Sequence, residues 1–215
     1  LKQLMNFFFP VLLGMLFQQL YNMADAVIVG RFVGKNALAA VGGSASQILN
    51  LIIGFFTGLC SGATVIIAQY FGANDDEDVG KGVQTAMVFA AVCGVIMTAV
   101  GIVTAPGLLR LMDTPEETMA DSVSYMRIVY MAMVPAMVYN MGSAILRAVG
   151  DSKRPLYFLI ICCVLNVAMD IAAVVVFELA VEGVAIATSL AQLISAVLVC
   201  RSLMRSKQSY RLELK

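Results

Sequence analysis

The sequence predicts an all-α integral membrane protein, a bundle of six transmembrane helices, and three observations predict it. Apolar residues make up 60% of the 215 residues and charged ones only 13%, far from the make-up of a soluble domain. Six apolar runs each approach the ~20 residues needed to cross a bilayer, at residues 7–29, 48–71, 83–109, 123–146, 156–177 and 184–203. The charges fall almost entirely between them. A buried helix of a soluble protein usually spares one face for polar residues, and six successive runs that spare none exclude that reading.

Composition also removes classes of function. The 14 basic and 14 acidic residues balance, so net charge points to no nucleic-acid partner. The chain has no histidine, the commonest general base and metal ligand. That excludes histidine-dependent catalysis, and neither an enzyme activity nor a resident cofactor is expected. Cys60, Cys93, Cys162, Cys163 and Cys200 all lie inside predicted spans without metal-like spacing and read as small packing residues.

Taken in order, the elements carry consistent punctuation. Residues 7–29 have the look of a signal peptide, but Asp25 and the lack of a small-residue cleavage site make them a retained helix. Pro10 in helix one and Pro135 in helix four each remove a backbone hydrogen bond, so both are expected to kink their helices and are hinge candidates. Asp75-Asp76-Glu77-Asp78 precedes helix three, where negative charge suits the positive end of the helix dipole; it reads as a solvated cap, not a cation site. Thr114-Pro115-Glu116-Glu117 reads as a capping box with Thr114 at the N-cap. Arg127, two turns inside helix four, is expected to snorkel outward or toward Asp121. Gly150-Asp151-Ser152-Lys153-Arg154-Pro155 ends helix four at a glycine and starts helix five with a capping side chain and a proline. The six-helix unit is expected over 1–204, and the polar residues 205–215 read as the start of a linker.

Charge sorting predicts orientation. With Leu1 inside, the inner segments hold Lys2, Lys81, Arg147, Lys153, Arg154, Arg201, Arg205, Lys207, Arg211 and Lys215, and the outer ones only Arg31, Lys35 and Arg110. That bias puts both ends of this chain in the cytoplasm, as a multi-pass protein of the plasma membrane.

Asp25 and Asp170 should not stand in apolar runs unless they face the bundle interior or a wet cavity, where such groups mark ion or substrate paths. With a rise of 1.5 Å per residue, Asp25 lies roughly 9 Å before Arg31 and Asp170 roughly 12 Å before Glu178, at the outer ends of helices one and five. Thr188, roughly 9 Å below the start of helix six, falls at the same level. Asn166 shares a face with Asp170, and Gln18 and Tyr21 share one with Asp25, by helical spacing. Two carboxylates, an amide and a hydroxyl are oxygen ligands of the kind hard cations prefer. Two close carboxylates in a dry site are also able to share and carry a proton. The alternative is that they are hydrogen-bonding glue between helices. The methionines read as packing.

These residues resemble the multidrug and toxic compound extrusion (MATE) transporters over the whole chain. The resemblance rests on an early proline before a glutamine-rich helix that ends in Met23-Ala24-Asp25 and Val29-Gly30, then Leu38-Ala39-Ala40-Val41-Gly42 and Ala68-Gln69-Tyr70-Phe71-Gly72-Ala73. It continues through Leu146-Arg147-Ala148-Val149-Gly150-Asp151-Ser152-Lys153-Arg154-Pro155 to Asn166 four residues before Asp170. The family's twelve helices form two six-helix lobes around a cavity that opens alternately to either side, and this chain is similar to the amino-terminal lobe. The resemblance implies secondary active efflux of amphipathic, often cationic, organic compounds in antiport with Na+ or H+. It implies that Asp25, Asn166, Asp170 and Thr188 form a cation site with Tyr125 at its edge, that Gln18 and Tyr21 line the substrate cavity, and that helix one bends at Pro10. The implied partners are the lipid bilayer, drug-like substrates, and a carboxy-terminal lobe or a second half-size chain.

Three rivals remain. A lipid-linked saccharide flippase of the same superfamily is expected to carry basic residues for pyrophosphate, and the spans hold no such cluster. An intramembrane aspartyl protease would share a proton between two aspartates, but its Gly-x-Gly-Asp pattern is absent, since Ala168-Met169 precede Asp170. A non-transporting half-size membrane subunit would need neither aspartate.

Overall fold

In lipid a backbone satisfies its polar groups only within its own helix, and the apolar runs accordingly become long helices. The structure, a computed structural model, describes residues 2–206 and 208–212. Its helices are α1 (Lys2–Ile28), α2 (Lys35–Gly42), α3 (Ser44–Gly72), α4 (Asp76–Leu111), α5 (Glu116–Met131), α6 (Met133–Ala148), α7 (Lys153–Ile171) and α8 (Val181–Met204). Single π-helical turns, Val29–Val33 and Ala172–Val176, extend α1 and α7.

All six expected spans are present, but the fourth is broken. α5 and α6 meet at 54°, with Ala132 between them. The cause is Pro135: without an N–H it cannot bond the carbonyl four residues back, that of Met131, and the helix fails there. Beside the break, the Thr98 hydroxyl of α4 donates to the Tyr130 carbonyl at 2.8 Å. The bend presses against α4 where α4 has no side chains. A Cβ on Gly94 would sit 2.6 Å from the Val134 Cα, and one on Gly101 would strike the Tyr130 ring. At Pro10, by contrast, α1 runs on unbroken.

Two connections differ from expectation, and a third holds a short helix outside the expected spans. Between the first two spans, Gly34, at φ 120°, turns the chain into α2, whose Ala37 and Val41 are buried. The expected capping box does not form. Pro115, with extended ψ, takes the N-cap position, one residue later than expected. Thr114 Oγ1 is left buried without a partner among the described residues, while the Thr118 hydroxyl donates to the Pro115 carbonyl at 3.2 Å. The tail does not lead away: Tyr210 and Leu212 are buried, Leu212 N donates to the Leu203 carbonyl at 3.3 Å, and the Tyr210 ring stands 6.4 Å from that of Phe71. Lys207 and residues 213–215 of the expected linker lie outside the described residues.

The two expected acidic caps form. Asp75 accepts the Asp78 N–H at 3.2 Å, with Lys81 pairing Glu77 at 2.7 Å and Asp78 at 3.3 Å. Asp151 caps α7 through the N–H groups of Lys153 and Arg154 at 3.2 and 3.1 Å. Arg127 is exposed. Successive spans alternate in direction, so Lys81, Arg147, Lys153, Arg154, Arg201, Arg205 and Arg211 gather at one end and Arg31, Lys35 and Arg110 at the other. Lys207 and Lys215, and the side chain of Lys2, lie outside the described residues.

The main core is built from α3, α4, α5, α6 and α8, with Phe56, Met87, Met126, Tyr130, Met137 and Met141 in its interior. α1 and α7 contribute no buried residue to it. α7 packs along α8 and α1 chiefly along α7, and both reach a second apolar cluster of Ile28, Val29, Ala37, Val41, Val174, Val181 and Val184 through their outer ends. Large apolar side chains such as Met15, Leu51, Phe55 and Val103 face outward, as a lipid-embedded surface requires.

Gly101→Val should destabilise the folded chain by about 1–3 kcal/mol through overpacking, lowering its melting temperature in detergent. Gly107→Ala, where an added Cβ meets nothing within 4 Å, should leave it unchanged.

Candidate functional site

The second apolar cluster forms a roof at the end of the bundle bearing Arg31 and Lys35, and the polar site lies directly beneath it. α1 brings Tyr21 and Asp25, one helical turn apart, just before its π-turn. α7 brings Asn166 and Asp170 just before its own, and the two π-turns touch. α8 contributes Thr188 and α5 contributes Tyr125, which packs against both apolar clusters. Asn166 and Asp170 have no exposed surface, whereas Asp25 is half-buried. Asp25 is therefore the mouth of the site and Asp170 its floor.

The Asn166 amide is the hub. With its NH2 turned toward the carboxylates it donates to Asp25 Oδ1 at 2.9 Å and to Asp170 Oδ2 at 3.0 Å. Its oxygen then faces the Thr188 hydroxyl across 3.4 Å, a separation at which Thr188 serves as donor. The two carboxyl groups are neighbours, and Tyr21 stands beside Asp25 and Thr188. Asp170 Oδ1 has no partner among the described residues. A buried carboxylate oxygen without a donor is costly, and it is relieved by a proton or by a cation. The reversed amide presents its carbonyl oxygen to the carboxylates, so that Asp25, Asp170 and Asn166 converge as hard oxygen ligands.

The structure thus brings Asp25, Asn166, Asp170 and Thr188 together, as expected, and adds Tyr21, expected in the substrate cavity, to the same cluster. Tyr125 lies at the edge. Gln18 is exposed on α1 one turn from Tyr21 and outside the cluster, and Pro10 lies roughly 22 Å along α1 from Asp25. Sequence reasoning missed the roof and the paired π-turns, for which a run of valines carries no periodic signal.

Comparison with known proteins adds to this geometry. A family model described as MatE matches residues 10–172. A probable multidrug resistance protein of Bacillus subtilis (strain 168), YoeA, is 36% identical over 163 residues, which cover 76% of this chain and 35% of that protein. A second from the same organism, YpnP, is 31% identical over 192 residues, covering 89% and 43%. Among solved structures, a multidrug resistance MATE family transporter of the MOP superfamily in its outward-facing conformation superimposes with a TM-score of 0.91 at 26% identity, covering 99% of this chain and 47% of that one. The chain spans about half the length of the relatives it matches.

Asn166→Ala should cost about 1–3 kcal/mol of stability by leaving both carboxylates without their shared donor. A proton between the carboxyl groups can replace that donor, so the folded variant gains from proton binding and its deficit should shrink as pH falls. Thermal unfolding of parent and variant across a pH series checks both the loss and its sign.

Proposed function

The chain belongs to the MatE family, and on that premise we propose that it forms the amino-terminal lobe of a secondary active multidrug exporter driven by Na+ or H+. The observation that carries this reading is the buried Asp25–Asn166–Asp170 cluster inside a membrane-spanning bundle. The proposed substrates are amphipathic, often cationic, organic compounds. Because the chain spans about half the length of its relatives, a substrate cavity needs a second six-helix body, either a carboxy-terminal lobe or a second copy. In this reading the basic end faces the cytoplasm, in accord with the inward bias of Lys and Arg.

The residues act in order of depth. Asp25, at the mouth, meets the incoming Na+ or H+, and Asp170 shares it. Without that cation the carboxylates repel, and the two Asn166 N–H donors hold α1 to α7. With Na+ bound, the amide turns its oxygen to the ion; with H+ bound, the carboxyl groups hydrogen-bond directly. Either event changes the joint on which α1 rests, and α1 also carries Gln18 toward the proposed cavity. Substrate affinity then depends on cation occupancy, and linkage makes the dependence mutual. Alternating access follows if the two occupancies favour opposite openings.

The test uses the native protein extracted from its membrane and reconstituted in proteoliposomes. An imposed Na+ or proton gradient should drive movement of a cationic dye. Asp25→Asn and Asp170→Asn should each slow it roughly tenfold or more, on the scale of a coupling free energy of a few kcal/mol, while leaving the protein folded in the membrane. Undiminished gradient-driven transport by both variants would overturn the reading.

A further inference from the structure

The basic end carries a feature that the cation cluster does not use. Because the tail folds back, two adjoining clefts form between it and the α6–α7 loop. One, of about 440 Å³, is lined by Phe7, Asp151, Lys153, Arg154 and Tyr210 among others. The other, of about 410 Å³, shares Arg154, Gln208 and Tyr210 and adds Arg205 from the end of α8. Three cations from two separate segments thus face one concavity over a buried tyrosine. The one acid in the lining is already engaged: Asp151 Oδ1 accepts two backbone N–H groups of α7, and Oδ2 pairs with Arg154 Nε at 3.0 Å. Among the described residues neither Lys153 nor Arg205 pairs with a carboxylate.

The placement of two of these cations breaks a local rule. Lys153 and Arg154 begin α7 and no acid stands in its first turn, although the positive end of a helix dipole favours negative charge. The Asp151 carboxylate meets that end and pairs Arg154, but Lys153 and Arg205 have no acid partner among the described residues, and this surplus of positive charge is suited to an anion. A need for inward positive charge alone would be met as well by lysines on a convex loop, away from the helix start.

We propose that this double cleft binds the phosphate of an anionic phospholipid headgroup. Lys153 and Arg205 supply the charge, and Gln208 supplies a neutral donor. The lipid source is favoured over a free phosphate by position: Phe7 brings the apolar surface of α1 to the rim, and Tyr157, one turn beyond Arg154 on α7, is exposed, as aromatic side chains at the membrane–water boundary often are. Basic pockets between helices at that boundary suit such headgroups. The proposal rests on membrane embedding and is independent of the transport reading.

These 215 residues hold no tryptophan, so Phe7→Trp, with any tryptophan elsewhere in the protein replaced by phenylalanine, places a single fluorescent reporter at the rim. In vesicles of phosphatidylcholine, quenching by traces of brominated phosphatidylglycerol is compared with quenching by brominated phosphatidylcholine. The expected result is a preference for phosphatidylglycerol of roughly fivefold for each of the two cations, falling to parity when Lys153→Gln and Arg205→Gln are added. Parity in the reporter protein itself would overturn the proposal, and that comparison decides even if the double variant does not reconstitute. A preference that survives the double variant would also overturn it, as would a response to inorganic phosphate with no preference between the lipids, which assigns the cleft to the free ion.

Discussion

Two carboxylates held in a bundle that faces lipid must share whatever donors the bundle offers, and here one amide serves both. Asp170 is wholly buried and Asp25 half so, which gives the pair one blocked side and one accessible side. A membrane interior does not supply water to relieve the pair, so its charge state is bound to its geometry. That constraint explains why α1 lies along α7, why Thr188 and Tyr21 turn toward the pair, and why the two helices end in touching π-turns beneath an apolar roof. π-Turns of this kind are frequent at functional sites.

The rest of the bundle divides by its packing. The main core joins α3, α4, α5, α6 and α8 around buried methionines and aromatics, and its close helix approaches depend on glycines that admit nothing larger. α1 and α7 stand apart from it, attached by the polar cluster, the roof and the contact of α7 with α8. α7 itself packs extensively on α8, so α1 is the helix held chiefly through its neighbour and the polar cluster. α1 runs unbroken through Pro10 in this structure.

Much of this was legible from residues alone. Six apolar runs gave six passes, and helical rise placed Asp25, Asp170 and Thr188 at one level because straight helices of fixed pitch leave little freedom. The i, i+4 spacing of Asn166 and Asp170 put them on one face. What was not legible depends on tertiary contact. The break at Ala132 is displaced from Pro135 by the reach of one missing hydrogen bond, and its acceptance depends on Gly94 and Gly101 in another helix. Thr114 has every feature of an N-cap, yet Pro115 takes the role because its backbone is already extended. Tyr210 and Leu212 sit in a polar stretch, and only the groove beside Phe71 and Leu203 makes them buried. The amide of Asn166 donates or accepts according to what stands beside it, which sequence spacing does not reveal.

The central claim is that Asp25 and Asp170 form one charge-sensitive joint. Infrared difference spectroscopy of the membrane-embedded native protein, stepping pH at low sodium and then adding sodium, tests it most directly. The account predicts a protonated-carboxyl band that falls when either pH or sodium rises and is lost in both Asp25→Asn and Asp170→Asn. A spectrum unchanged by both substitutions would contradict it.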